Sequence, residues 1–246
     1  MKQEIFTFPL WDAFQENTEC PLCHIMEKAE ESYISGLFRD MVNDVNFHRS
    51  LEHMSFCSTH FQQLLNYRDK FGLALIVDKI LMHEMSKLRK FRRIMEVPYL
   101  PSKYHALNII RKIFNRHTNQ YDIHELPCFL CIHSKDAMHS YAESIIQLWA
   151  CNSKFQSLYE NCKGFCFKHF YLLVEEAQRL LSGLQLKKFC QATFLLQENN
   201  LKRLNDELNW FIKKFNYYYI DSPWHTSRDS LKRCIFKIKS GFINKE

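Results

Sequence analysis

The chain predicts an all-α fold: two pseudo-duplicated helical units, each clipped by a Cys3His metal site, followed by a C-terminal helix. Three observations predict it. Only 5 Gly and 6 Pro interrupt 246 residues, so long helices are favoured over a turn-rich sandwich. Apolar residues recur every three or four positions through most of the chain. And two tetrads of metal-ligand residues recur at nearly the same spacing, which marks an internal duplication.

Taken in order, residues 1–19 read as an N-terminal arm, and residues 20–96 as the first helical metal-binding repeat. Leu22, Met26, Ala29, Tyr33, Leu37 and Met41 share one helical face. Asn43-Asp44 interrupts, and a short helix follows around Phe47, Leu51 and Met54. Another starts near Cys57 and carries His60, Leu64 and Leu65. A long helix runs from Gly72 to about Glu96, with Leu73, Ile76, Ile80, Met85, Leu88 and Met95 on its apolar side, until Pro98 and Pro101 punctuate the chain. Residues 97–127 read as a connector with one short helix, Tyr104 to Arg116, packing through Leu107, Ile110 and Phe114.

Residues 128–217 repeat the first unit. Cys128-Phe129-Leu130-Cys131 parallels Cys20-Pro21-Leu22-Cys23; Ser140-Tyr141 follows Ser32-Tyr33, and Phe155 follows Phe47, both at an offset of 108. Phe165-Cys166 and His169-Phe170 match Phe56-Cys57 and His60-Phe61 at an offset of 109. Gly183 then opens a long helix to about Tyr217, as Gly72 does in the first copy, with Leu184, Leu195, Leu201, Leu204, Leu208, Phe211 and Phe215. Residues 218–246 form a C-terminal helical segment, a helix from Ser227 to Ser240 with Leu231, Cys234, Ile235 and Ile238, ended by Gly241.

The tetrads are Cys20, Cys23, Cys57, His60 and Cys128, Cys131, Cys166, His169. Each reads C-x2-C, then 33 or 34 residues, then C-x2-H. C-x2-C lets two sulfurs from one turn reach one ion, and C-x2-H at a helix start puts Cys and His on one face. Both pairs read as lying at helix N-termini, where the helix dipole favours thiolate. Four such ligands suit tetrahedral Zn²⁺ in a closed, structural site, so two Zn²⁺ are expected. An iron–sulfur cluster is the alternative metal, and a redox C-x2-C pair the alternative chemistry. Spacing leaves open whether each tetrad closes on itself or trades pairs, with Cys20 and Cys23 meeting Cys166 and His169. Cys151, Cys162, Cys190 and Cys234 read as small buried apolar residues on helices. His24 and His133, beside the ligand cysteines, read as surface or supporting groups rather than replacement ligands, and His83, His105 and His139 have no partner in the pattern.

The paired motifs, Cys20-Pro21-Leu22-Cys23 with Phe56-Cys57-Ser58-Thr59-His60 and Cys128-Phe129-Leu130-Cys131 with Gly164-Phe165-Cys166-Phe167-Lys168-His169, resemble an uncharacterised bacterial family, domain of unknown function 6062. Asn43-Asp44, Lys214-Phe215-Asn216-Tyr217, Trp224 and the basic helix after it also fit, so the resemblance covers about residues 18–241. Phe129 stands for the usual Pro, Ser55 for a common Gly, and Asn216 for an Asp. No departure removes a ligand, whereas Asn216 weakens a catalytic reading of its segment. The resemblance implies duplication and metal sites; it implies no activity.

Ten cysteines in this spacing read as a reduced, cytoplasmic protein, and no apolar run is long enough for a membrane span. The formal charge of +6 falls to about +4 with six thiolates and two divalent ions bound. That mild excess permits acidic-protein or nucleic-acid partners without requiring them. Lys87, Arg89, Lys90, Arg92 and Arg93 form a basic cluster that suits phosphate contact or a solvated helix end; the second reading is preferred. The run Trp210, Phe211, Phe215, Tyr217, Tyr218, Tyr219 and Trp224 could stack bases, but the spacing of Phe211 and Phe215 favours core packing, with one or two of the tyrosines lining a groove between the copies. There is no Gly-rich phosphate loop, G-x-S-x-G or H-E-x-x-H, and Glu30-Glu31 and Glu175-Glu176 read as solvated pairs. The sequence therefore favours a binding or adaptor module for a protein or nucleic acid over an enzyme.

Overall fold

A computed structural model describes residues 2–95 and 126–240. The expected connector helix, Tyr104 to Arg116, lies outside them. Ten α-helices occur among the described residues: α1 Lys2–Gln15, α2 Pro21–Gly36, α3 Val45–Ser50, α4 Ser58–Asn66, α5 Lys70–Met95, α6 Phe129–Cys151, α7 Ser153–Glu160, α8 Phe167–Leu180, α9 Gly183–Lys213 and α10 Ser230–Lys239. No strand is formed among them, so the all-α expectation holds. None of these helices is long and apolar enough to cross a membrane.

Local chemistry explains the boundaries. Pro21 opens α2 at the first helical position, where its missing N–H costs nothing. The α2 helix ends in a π-helical turn, Leu37–Met41, closed by the Val42 N–H on the Leu37 carbonyl at 2.9 Å. The break at Asn43-Asp44 is an N-cap: the Asp44 carboxylate accepts the Asn46 N–H at 2.7 Å and starts α3. At the matching position, 108 residues on, the Asn152 side chain accepts the N–H groups of Lys154 and Phe155 at 3.1 and 3.0 Å and starts α7. Phe47 and Phe155, three residues after each cap, are both buried. The duplication thus extends to the device that turns the chain.

Several boundaries differ from expectation. The N-terminal arm is a helix, with Leu10, Ala13 and Phe14 buried despite Pro9 within it. The α5 helix starts at Lys70 rather than Gly72, because the Asp69 carboxylate accepts the Gly72 N–H at 2.9 Å. The α9 helix stops at Lys213, short of Tyr217, and a single 3-10 turn, Tyr217–Tyr219, follows. A second 3-10 turn, His225–Ser227, precedes α10.

The chain forms two compact units, Met1–Glu30 with Ser134–Glu246, and Glu31–His133. They are assembled differently from the sequence copies: each takes residues from both. The first unit packs Leu10, Phe14, Leu22, Ile145, Phe155, Tyr159, Phe165 and Phe189 into one core. Phe14 meets the rings of Phe155 and Tyr159 at 5.1 and 5.8 Å, edge-on and stacked geometries that add to area burial. The second unit packs Leu37, Phe38, Phe47, Leu51, Phe56, Leu64, Ile76 and Leu130, with Phe38 stacked on Tyr67 at 4.5 Å.

The expected apolar faces of the two long helices are only partly packed. On α5, Leu73 and Ile76 are buried but Met85 and Leu88 are exposed; on α9, Leu204 is buried but Leu184 and Leu195 are exposed. On α5 the expected stripe outruns its packing, whereas on α9 the packed face is Phe189, Thr193, Leu196 and Leu204, and Leu195 lies exposed on another face between them.

Candidate metal centres

The ligand pairs trade between copies. Cys20 and Cys23 meet Cys166 and His169, and Cys57 and His60 meet Cys128 and Cys131. Each set falls within one compact unit, the first in Met1–Glu30 with Ser134–Glu246, the second in Glu31–His133. The arrangement closed within each sequence copy is therefore not the one adopted, and the exchanged arrangement is.

All four ligand pairs are built alike. Cys57 and Cys166 are the N-cap residues of α4 and α8, with extended backbone; Cys20 and Cys128 stand immediately before α2 and α6. In each case the cysteine carbonyl accepts the first helical hydrogen bond, from His24, Phe61, Ile132 or Phe170, at 3.2, 2.9, 3.1 and 2.9 Å. The second ligand of each pair is the third helical residue. Cap and third position lie over one another at the helix start, so both side chains reach one point in front of it. Two helix N-termini, with their partial positive charge, face each set of sulfurs.

The four ligand atoms of each set lie within 4.8 Å of one another. In the first centre, His169 Nδ1 is 3.4, 3.3 and 3.3 Å from the sulfurs of Cys20, Cys23 and Cys166, and Cys23 Sγ is 3.6 Å from Cys166 Sγ. In the second, His60 Nδ1 is 3.2, 3.2 and 3.4 Å from Cys57, Cys128 and Cys131, and Cys57 Sγ is 3.8 Å from Cys131 Sγ. A tetrahedral Zn²⁺ at ordinary bond lengths sets S···S edges near 3.8 Å and S···N edges of about 3.6 Å. Both sets can therefore hold a metal ion with little movement.

Electrostatics points the same way. Hydrogen bonds from Cys20 and Cys23 hold the Cys166 thiol far below its ordinary range. Burial, then the neighbouring Cys166, pushes Cys20 up to about 12, and its hydrogen bonds with Cys166 and Cys20 push Cys23 strongly up. In the second centre burial raises Cys128, but backbone N–H groups of Cys131 and Cys57 outweigh it and bring the thiol down to about 7. Burial and Cys128 push Cys131 up to about 12. Packed sulfurs thus resist sharing negative charge, and a cation at the centre removes that conflict.

The surroundings of the two centres differ. All four ligands of the first are buried; in the second Cys57 is half-buried and Cys131 exposed. Behind the first, buried Gln197 on α9 grips the Phe165 backbone, its Oε1 accepting the Phe165 N–H at 3.0 Å and its Nε2 donating to the carbonyl at 2.9 Å. Gly164, in the left-handed region at φ 72°, brings this backbone against Gln197. Lys237 on α10, 1% exposed, donates to the carbonyls of Glu19 and Lys163. The Glu19 carboxylate pairs with Arg203 at 2.7 Å and Arg233 at 3.3 Å. In the second centre, Ser55 takes the role of a short strand pair: its N–H donates to Pro127 at 3.0 Å, and its carbonyl accepts the Phe129 N–H at 2.8 Å.

Other expected features fall elsewhere. His24 and His133 join neither set; His133 packs on Phe129 at 4.4 Å. His139 has a partner that spacing did not suggest, the Glu176 carboxylate at 2.7 Å, which Arg179 also holds at 2.8 Å. Glu176 is 6% exposed, so it is not part of a solvated pair. Cys151 is exposed rather than buried, and Cys162, Cys190 and Cys234 are half-buried. Arg89, Lys90, Arg92 and Arg93 are exposed on α5, while half-buried Lys87 pairs with Glu84 at 2.7 Å. Phe215, expected in the core, is 77% exposed. Its neighbour Lys214 is the buried residue: Nζ donates to the carbonyls of Tyr219, Ile220 and Ser222 at 2.6, 2.6 and 2.5 Å and lies 5.2 Å from the Trp224 ring centre. Asn216 accepts the Tyr218 N–H at 3.1 Å. The Lys214–Tyr217 segment is thereby a turn-forming device, with Lys214 at its centre.

No curated protein and no solved structure matches this chain. The sequence does match a family of unknown function, DUF6062, across residues 1–245, and the chain belongs to that family.

Proposed function

We propose that this protein binds two Zn²⁺ ions in structural Cys3His sites and serves as a binding or adaptor module. The observation that carries the reading is the exchanged pairing: two sets of four candidate ligands, each with its ligand atoms within 4.8 Å of one another and each joining two helix starts distant in sequence. Four protein ligands close the coordination sphere and leave no position for a substrate. Three sulfurs and one nitrogen also suit iron–sulfur ligation, but the closed set and its short S···N contacts favour a single ion at each centre.

Each ion holds the start of α2 to that of α8, or α4 to α6. Structural zinc contributes on the order of 10–16 kcal/mol in small finger peptides, so both units depend on it for folding. Exposed apolar side chains, among them Leu81 and Leu88 on α5 and Tyr217 and Tyr218 near the C-terminus, offer contact area for a partner.

The test is elemental analysis of purified protein with an absorption spectrum. Two zinc ions per chain and no visible charge-transfer band support the reading; iron with visible absorption overturns it. A second reading, nucleic-acid binding, is favoured by the exposure of Arg89, Lys90, Arg92 and Arg93 on one helix end, with Lys87 beside them. Salt-sensitive retention on a polyanion resin that disappears when these residues become Glu supports it, and salt-independent flow-through excludes it.

A further inference from the structure

We infer that the second centre, Cys57, His60, Cys128 and Cys131, is a peroxide-sensitive site where Cys57 and Cys131 oxidise to a disulfide and the ion is released, while the first centre keeps its ion. The inference rests on the metal reading above and adds a modification that separates the two centres.

Three observations carry it. The first is access. Every ligand of the first centre is buried, whereas Cys131 is exposed and Cys57 half-buried. An oxidant can reach the second set and is excluded from the first; susceptibility of a metal thiolate follows exposure as well as thiolate character.

The second is proximity. The two accessible sulfurs of the second centre are neighbours, with Cys57 Sγ 3.8 Å from Cys131 Sγ. A sulfenic acid formed on one has its resolving thiolate beside it. The remaining cysteine, Cys128, is buried.

The third is support. In the first centre, both cysteine-bearing loops are held from behind. Gln197 grips the residue before Cys166, and Lys237 joins the carbonyls of Glu19 and Lys163. These contacts brace the loops from behind, in addition to the ion. The second centre's cysteine-bearing backbone is tied through the Ser55 hydrogen bonds to Pro127 and Phe129, which leave the Cys131 side chain open to solvent.

The chemistry balances with hydrogen peroxide as oxidant. The Cys131 thiolate attacks one peroxide oxygen, the O–O bond breaks, and hydroxide leaves; Cys131 carries a sulfenic acid. The Cys57 thiolate then attacks that sulfur, the S–O bond breaks, a second hydroxide leaves, and the S–S bond forms. Two thiolates lose two electrons, peroxide gains them, and solvent protonates both hydroxides to water. The ion is left with Cys128 and His60 alone. Two ligands cannot satisfy a tetrahedral site, and the charge that held the ion has fallen by two.

The experiment uses the full-length zinc-loaded chain. Zinc content is measured first, then hydrogen peroxide is added with 4-(2-pyridylazo)resorcinol to report released zinc, and proteolytic peptides are mapped by mass under non-reducing conditions. The expected result is release of one of two ions and a linked peptide pair containing Cys57 and Cys131, lighter by two hydrogens and reversed by a dithiol reductant. A Cys131→Ser chain is expected to keep the first ion and to form no linked pair. Release of both ions together, release of neither, or a disulfide at Cys20, Cys23 or Cys166 overturns the inference. A chain that carries no metal before peroxide is added overturns the metal reading itself and this inference with it, whereas two bound ions with no release overturn this inference alone.

Discussion

Lys237 donates from its buried ammonium group to the backbone carbonyl of Glu19, the residue directly before the first ligand of the first centre. The same Nζ reaches the Lys163 carbonyl at 2.5 Å, three residues before Cys166. One side chain on the last described helix therefore ties together both loops that supply that centre's sulfurs. Burial holds the Lys237 pKa below its usual value, while the Glu19 carboxylate 3.5 Å away opposes the fall. The cation is kept where it completes a network of Glu19, Arg203, Glu207 and Arg233.

Lys237→Met leaves two buried carbonyls without their donor and removes a charge that Glu19 faces. Breaking a buried charged network from one side costs about 3 kcal/mol or more. For a chain of this size that lowers the thermal midpoint by roughly 6–12 °C, as measured by circular dichroism on the metal-loaded protein. An unchanged midpoint shows that the network is not part of the folding core.

Gln197→Leu separates the first centre from the second. It removes both hydrogen bonds to the Phe165 backbone and strands a buried N–H and carbonyl, at a cost of about 2–4 kcal/mol. Because that backbone places Cys166, metal affinity at the first centre is expected to fall 10–100-fold, the usual cost of losing an outer support. Competition with a graded series of chelators should show one ion leaving earlier and the other unmoved. Equal weakening of both centres contradicts this assignment.

The caps at Asp44 and Asn152 are equivalent positions of the two copies; at its helix start Asp44 accepts one backbone N–H and Asn152 accepts two. Asp44→Ala and Asn152→Ala should each destabilise by about 1 kcal/mol, read in denaturant melts. Substitution to Gly should cost only a few tenths of a kcal/mol. A large and unequal loss between the two sites means that one cap does more than start its helix.

Glu176 carries a pH prediction. Burial raises its pKa, but His139 and Arg179 outweigh that, and the carboxylate sits below its usual 4.5. A carboxylate with a depressed folded-state pKa contributes stability that is fully present above the unfolded value and is lost as pH falls through the folded one. Stability measured downward from pH 4.5 should therefore fall more steeply in the parent chain than in Glu176→Gln. Parallel acid slopes in the two chains rule out this contribution.

Much of this was legible in the sequence, and the reasons are physical. Cysteine and histidine have few other uses at C-x2-C and C-x2-H spacing, and both spacings have one geometric outcome at a helix start; all eight residues of the two clusters were therefore visible. The all-α class followed from periodicity and from few chain breakers. What spacing could not carry was long-range pairing, since a tetrad closed within one copy and a tetrad closed across copies have the same local pattern. Lys214 and Lys237 were hidden for a different reason. Lysine in a helix reads as solvated, and only the carbonyls gathered around each Nζ, from segments remote or irregular in backbone, give either a buried role. Residues 2–15 escaped because Pro9 interrupts the pattern that identifies a helix, and Phe215 was misplaced because α9 stops two residues before it.

The exchanged pairing makes a prediction that metal counting can decide. Loss of two ligands from one centre should remove one ion; loss of one from each should compromise both. In the arrangement found here, Cys57 and Cys131 share a centre, and Cys23 belongs to the other. A Cys57→Ser/Cys131→Ser chain should thus keep one tightly bound ion, held by Cys20, Cys23, Cys166 and His169. A Cys57→Ser/Cys23→Ser chain should keep none that resists a strong chelator, because each centre retains only three ligands. Closure within each copy predicts the reverse, since Cys57 and Cys23 would then share a site and Cys131 would lie in the other. Both chains lose two thiols, so net charge and general thiol loss are matched, and the ion count after chelator treatment reports pairing alone. Because the first double variant leaves the more buried centre whole, its unit Met1–Glu30 with Ser134–Glu246 should keep cooperative unfolding, while the second variant should lose cooperativity in both units.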